Sequence, residues 1–222
     1  MSNLQVENLK FRYEKKGKII LNDINFSIKK GTITGLIGDN GTGKTTLMKL
    51  LSGILKPNEG NISNGFSSIG VLIEEPALYK DMSVMANLKF YCKLYERDYQ
   101  IIDEYKEVLG VGNFLNKRVS KLSLGMKQRV GLFVALIASE EIILLDEPTN
   151  GLDPTGIRDL LTLIKRLADE KQITFMVSSH ILQNLEQICD GYIVMKNSNA
   201  IVLETSEMGE KKLNEVYFNE AF

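Results

Sequence analysis

Thr32-Ile33-Thr34-Gly35-Leu36-Ile37 runs straight into Gly38-Asp39-Asn40-Gly41-Thr42-Gly43-Lys44-Thr45, and residues 45–54 follow as TTLMKLLSGI. The first stretch is short, apolar and β-branched, which is strand chemistry. The last puts Leu47, Leu50, Leu51 and Ile54 on one face at helical spacing. Between them stands the pattern GxxxxGK[ST]. Its glycines let the backbone wrap closely around an anion with successive N–H groups turned inward, and the helix behind adds the positive end of its dipole. Strand, glycine loop and helix in that order are the setting in which this pattern describes a phosphate loop. Gly38, Asp39, Asn40, Gly41, Thr42, Gly43, Lys44, Thr45 and Thr46 are therefore expected to hold nucleotide phosphates. Lys44 should reach the β- and γ-phosphates, and the Thr45 hydroxyl should ligate Mg2+.

A second apolar run, Ile142–Leu145, ends in Asp146-Glu147. On its own an acidic pair after a strand is only a solvated strand end. Downstream of a phosphate loop it gains a ligand, because open parallel sheets bind at the carboxyl ends of their strands. Asp146 suits a carboxylate that orients Mg2+, often through water. Glu147 suits a general base acting on the water that attacks the γ-phosphate. The chain's only histidine, His180, follows a third apolar run at 173–177 and Ser178-Ser179.

Working outward, residues 4–13 and 19–28 read as strands, with a turn at Gly17 and a bulge or bend at Asn22-Asp23. A turn at 56–60 precedes short strands at 61–63 and 68–73. From 84 to 138 the pattern is helical, with no convincing strand. Pro154 starts a helix to about Glu170, and another is expected over 180–189. A last hairpin at 192–195 and 200–203 turns through Asn197-Ser198-Asn199, and one short helix is expected from Glu207. Strand–helix alternation around a helical insert describes a parallel-sheet core with one inserted lobe.

Composition narrows the function. The 222 residues suffice for one large domain or two closely joined lobes. With 44% apolar residues a core forms without disulfides or structural metal. A net charge of −1 argues against a dedicated nucleic-acid binder, so no nucleic-acid partner is expected. Cys92 and Cys189 lie far apart in apolar helical contexts and read as reduced core thiols. The longest apolar run, 130–138, is about half of the ~20 residues a membrane span needs. The first residues, MSNLQ, show no secretory signal. A role at a membrane would thus need docking to another chain.

With these motifs in order, the chain resembles the ABC ATPase family over nearly its whole length. Leu122-Ser123-Leu124-Gly125-Met126-Lys127-Gln128 is similar to the family's signature, usually LSGGQ, with Leu124 and Met126 as departures. Asn150-Gly151-Leu152-Asp153-Pro154 is similar to its D-loop. The resemblance implies that Ser123 and Gly125 meet the γ-phosphate of ATP held by an opposite subunit, and that Tyr13 stacks on adenine. It implies catalysis by Glu147 with His180 and Lys44, and Mg2+ held by Thr45, Asp146 and the residue at position 74. That residue is normally glutamine and here is Glu74. With Glu75-Pro76-Ala77-Leu78-Tyr79 behind it, this resembles the bacterial subgroup that exports, or confers immunity to, peptide antibiotics such as lantibiotics and bacitracin.

The fold implied is α/β, a phosphate-loop (RecA-like) NTPase core with an antiparallel β lobe and an inserted helical lobe at about 77–138, forming a single domain over 1–222. The function implied is ATP hydrolysis by a subunit that dimerises on ATP and drives a separate integral-membrane permease from the cytoplasmic face, exporting a drug or antimicrobial peptide. Residues from Glu74 to about Asn87 would face the permease. The competing reading is a soluble family member working outside transport, as in iron–sulfur cluster assembly. Co-purification with a membrane protein separates the two.

Overall fold

A computed structural model describes residues 3–204 and Leu213. The chain opens with β1 (Asn3–Phe11) and β2 (Leu21–Lys29), then β3 (Ile33–Ile37), α1 (Lys44–Leu51), β4 (Glu59–Asn64) and β5 (Gly70–Leu72). Three helices follow, α2 (Val84–Leu94), α3 (Gln100–Tyr105) and α4 (Leu124–Ala138), with 3-10 turns at Gly112–Phe114 and Val119–Lys121. The chain then returns through β6 (Ile142–Leu145), α5 (Pro154–Lys171), β7 (Thr174–Ser179), α6 (Leu182–Glu186), β8 (Gly191–Lys196) and β9 (Asn199–Glu204).

The strands form two sheets. One is antiparallel in the order β2-β1-β4, and the other runs β5-β6-β7-β3-β8-β9, parallel except for the β8–β9 hairpin. The architecture is thus α/β, a phosphate-loop core with an antiparallel β lobe and helices inserted between β5 and β6. Strands covered on both faces read as unbroken apolar runs, and every residue of β6 is buried. Its side chains alternate between two cores. Ile142 and Leu144 join α1 and the small sheet, whereas Ile143 and Leu145 join the side packed with α4 and α5.

Local chemistry explains the irregularities. The small sheet carries two bulges. One falls at Asn22-Asp23, where β2 spends three residues against two of β1, and Asp23 has φ 55°. The other, at Asn8 (φ 50°), is not signalled in the sequence; Asn25 Oδ1 takes the Asn8 N–H at 2.8 Å. The last hairpin turns on two residues, Asn197 and Ser198, at φ 52° and 68°, so Asn199 belongs to β9 and not to the turn. The helix expected over 180–189 is shorter, Leu182–Glu186, because Ile181 is extended and its N–H goes to Ser179 Oγ. β4 starts earlier than expected, since Glu59 pairs with Lys10. Asp153 caps α5 with Pro154 at its first position.

Cys92 and Cys189 are free and buried, and burial pushes both thiols up. No helix among the described residues is long and apolar enough to cross a membrane. The helix expected from Glu207 lies outside the described residues apart from Leu213, which is buried and gives its N–H to Glu186.

β5 and α4 approach so closely that a Cβ on Gly70 would lie 2.2 Å from the Ala135 carbonyl oxygen. Backbone cannot yield there as a side chain can. Gly70→Ala is expected to cost about 1–3 kcal/mol, read as a lowered urea midpoint at unchanged slope. An unchanged midpoint would contradict this packing.

Candidate functional site

The order β6-β7-β3 sets three parallel strands side by side, so their carboxyl ends open onto one edge. Gly38 follows β3, Asp146 follows β6 and His180 follows β7. Residues far apart in sequence therefore meet without any long loop.

The loop between β3 and α1 needs its glycines. A Cβ on Gly38 would stand 2.6 Å from Thr42 Oγ1 and 2.7 Å from the Met195 carbonyl oxygen. Gly43, at φ 104°, begins α1 with no side-chain cap. The first-turn N–H groups of α1 are thus left for an anion. Beside them lies a cavity of about 220 Å³, lined by Ile20, Asn40, Gly41, Gly43, Lys44, Thr45, Thr46 and Glu147.

Lys44 is only 6% exposed. Its ammonium donates to the Gly38 carbonyl at 2.6 Å and the Asp39 carbonyl at 3.3 Å, and lies 3.3 Å from Glu147 Oε1. That carboxylate oxygen is buried and accepts no hydrogen bond, so the ammonium is its one close counter-charge among the described residues. The other oxygen, Oε2, is 2.8 Å from His180 Nδ1. An ionised carboxylate only accepts, so Nδ1 carries the proton. Glu147 reaches both neighbours from a left-handed backbone, φ 47°.

Asp146 faces the other way. Thr45 Oγ1 donates to its Oδ2 at 2.6 Å, and Ser178 Oγ donates to its Oδ1 at 2.6 Å. Its own N–H goes to the Leu72 carbonyl at 2.9 Å. A hydroxyl and a carboxylate in contact are hard oxygen donors. Among the described residues there is no cluster of three His, Cys, Asp or Glu able to enclose a metal. Mg2+ suits such a place, because it takes one or two protein oxygens and completes its shell with phosphates and water.

The remaining sequence candidates lie around this centre. Tyr13 is 61% exposed, with its hydroxyl 3.1 Å from Thr46 Oγ1 and its ring edge-on to Phe11. An exposed ring beside the loop is a ready stacking surface. Thr42 folds back on the Asp39 carbonyl, donating from its hydroxyl at 2.9 Å. Glu74, at φ 65°, turns to Lys49 at 2.7 Å and makes no hydrogen bond to Thr45 or Asp146. Hydrogen bonding to Glu74 holds the Lys49 ammonium above the usual lysine range. Ser123 caps α4, accepting the Met126 N–H at 3.3 Å, and is exposed. A Cβ on Gly125 would touch Leu152 at 3.7 Å. The structure thus gathers Lys44, Thr45, Asp146, Glu147 and His180, and leaves Ser123 and Gly125 on the helical part.

Sequence reasoning passed over Ser178 and Lys49. A serine at the end of a fully buried strand was a usable signal for the first. Nothing local marked Lys49, whose partner lies 25 positions away.

Comparison with known proteins agrees with this geometry. The ABC transporter family matches residues 21–150. The lantibiotic transport ATP-binding protein SrtF of Streptococcus pyogenes is 39% identical, over 98% of this chain and 96% of its own length. The bacitracin transport ATP-binding protein BcrA of Bacillus licheniformis is 41% identical over 75% of this chain and 58% of its own. Among solved structures, cbiO1 of Clostridium perfringens, part of the ABC transporter complex cbiONQ, superposes with a TM-score of 0.84 at 29% identity, covering 97% of this chain and 94% of that one. With a phosphate loop facing a carboxylate strand, and with SrtF similar to it over nearly its full length, the chain belongs to the ABC transporter family and is an ATP-binding ATPase subunit of it.

Proposed function

We propose that this chain binds MgATP at the edge formed by β3, β6 and β7, hydrolyses it as a homodimer, and so drives a separate integral-membrane permease that exports an antimicrobial peptide or related drug. The observation that carries the reading is the line of contacts from Lys44 through Glu147 to His180, beside the Thr45–Asp146 pair.

The chemistry follows from exchange of partners. The Lys44 ammonium is satisfied by two loop carbonyls and by Glu147. The β- and γ-phosphates offer stronger acceptors to the same cation. Their arrival frees Glu147 Oε1 to take a proton from a water whose oxygen bonds to the γ-phosphorus as the bond to the β–γ bridging oxygen breaks and ADP leaves. His180 keeps the other oxygen oriented. Thr45 and Asp146 would hold Mg2+, which would supply positive charge to offset that of the phosphates. Little covalent help is required, because phosphoryl transfer is accelerated mainly by positioning and charge. The adenine would rest on Tyr13.

Ser123 and Gly125 have no contact with this centre in their own chain. Head-to-tail pairing would bring them to a partner's γ-phosphate, Ser123 with its hydroxyl and α4 with its N-terminal dipole. Both half-sites exist in one sequence, so two copies complete two sites. The site residues and the single-domain organisation over 1–222, with a helical lobe at about 77–138, are part of this proposal.

The permease side of the reading draws support from the segment after β5. Asn87, completely buried, clamps it by accepting the Tyr79 N–H at 2.8 Å and donating to the Tyr79 carbonyl at 3.1 Å. Around it Tyr79, Phe90, Leu94 and Tyr95 leave apolar surface exposed beside a groove of about 260 Å³. Such a surface fits a protein partner. Glu74 and the Leu72–Asp146 contact join this segment to the nucleotide edge, so Glu74 would tune communication with the permease. The chain would then sit on the cytoplasmic face of the membrane. Export of a peptide antibiotic is inferred from the names of SrtF and BcrA.

Two measurements test the proposal. Lys44→Ala is expected to abolish tight MgATP binding, followed with a fluorescent ATP analogue, and unchanged affinity would reject the phosphate site. Glu147→Gln keeps the shape and removes the base, so hydrolysis should fall by about 10²–10⁴ while binding survives. The variant should accumulate as an ATP-bound dimer by light scattering and co-purify with an integral-membrane protein. A monomer that hydrolyses at the wild-type rate and captures no membrane protein would refute the reading.

A further inference from the structure

Ser178 is completely buried at the end of β7, paired in register with Leu36 of β3 and next to the residues that follow β6. A hydroxyl has one proton to give and lone pairs with which to accept. Both capacities are spent on the two carboxylate residues. Ser178 Oγ donates to Asp146 Oδ1 at 2.6 Å and accepts the Glu147 N–H at 2.7 Å. These contacts polarise one another, since an oxygen that accepts from an amide donates more strongly to a carboxylate.

The consequences differ for the two neighbours. Asp146 is gripped at both oxygens, by Ser178 on one and Thr45 on the other. Thr45 belongs to the phosphate loop and would also serve the metal, so Ser178 is the grip that has no ligand to serve. Glu147 is held by its backbone. Its φ of 47° is a conformation that a non-glycine residue adopts only at a cost. The Ser178 bond fixes that twist, and the twist aims the carboxylate at Lys44 and His180. An aliphatic side chain at 178 would leave the Glu147 N–H without this partner and Asp146 held at one oxygen only, by Thr45.

We propose that Ser178 is a positioning residue for hydrolysis, one buried hydroxyl that sets the Asp146 carboxylate for the metal and the Glu147 carboxylate for water as a single unit. This rests on the roles given above to Asp146 and Glu147.

The test compares wild type with Ser178→Ala, Ser178→Cys, Ser178→Thr and Asp146→Asn. Binding of a fluorescent ATP analogue is measured in Mg2+ and in EDTA, together with phosphate release. Ser178→Cys keeps the size, Ser178→Thr keeps the hydroxyl, and thermal unfolding confirms that each chain is folded. Affinity in EDTA should stay within about twofold of wild type throughout, because the loop and Lys44 are untouched. The gain in affinity conferred by Mg2+ should fall about 10–100-fold in Ser178→Ala and Ser178→Cys. Turnover should fall with it, and Ser178→Thr should restore both. If Asp146→Asn loses the Mg2+ gain while Ser178→Ala and Ser178→Cys keep it, the inference is overturned and the metal reading stands. If all three Ser178 variants lose turnover equally with the Mg2+ gain intact, the residue is merely structural and the inference fails. A wild-type chain with no Mg2+ gain at all removes both readings.

Discussion

An ammonium ion that is almost wholly buried has to be surrounded by oxygen, and that requirement at Lys44 organises this molecule. Leaving a charge in a protein interior without partners costs several kcal/mol. The chain meets the cost with the carbonyls of Gly38 and Asp39 and with Glu147. The first two come from a loop that only glycine at 38 allows to pass so close to β8. The third follows another strand altogether, β6, which only β7 separates from β3. A cation held by neutral carbonyls and one carboxylate can exchange them for the more highly charged phosphates.

The same edge carries a mechanical link. Asp146 hangs by its N–H from Leu72, and Glu74, two residues further on, is paired with Lys49 on α1. Gly131 of α4 leaves room for Pro76, which a Cβ there would meet at 2.9 Å. The segment after β5 is thereby tied to Asp146, to α1 and to α4. A rearrangement at the nucleotide edge has short, stiff routes to the exposed aromatic surface around Tyr79.

Much of this was legible in the sequence where local chemistry decides. The run from Thr32 to Thr45 fixes its own strand, loop and helix, and Ile142–Leu145 reads as a strand because it is buried on both faces. Pro154 after Asp153 marks the α5 start, as its cap geometry bears out. What was not legible depends on partners far along the chain. The bulge at Asn8 exists because Asn25 reaches across to it. The turn of the last hairpin was expected to include Asn199, yet two residues suffice once Asn197 and Ser198 both adopt left-handed conformations. Glu74 reads toward the metal by resemblance alone, and its pairing with Lys49, 25 positions away, has no local sign. Ser178 reads only as a residue between the 173–177 run and His180, because what its hydroxyl holds follows a different strand.

The central claim is that the Lys44–Glu147 edge hydrolyses ATP only when a second copy supplies Ser123 and Gly125. It is tested most directly by phosphate release per chain at saturating MgATP across a wide range of protein concentration. The account predicts turnover that vanishes toward high dilution, rises steeply and levels off once dimers dominate. Turnover per chain that is the same at every concentration, with the protein monomeric throughout, would show that one copy is a complete enzyme and would contradict it.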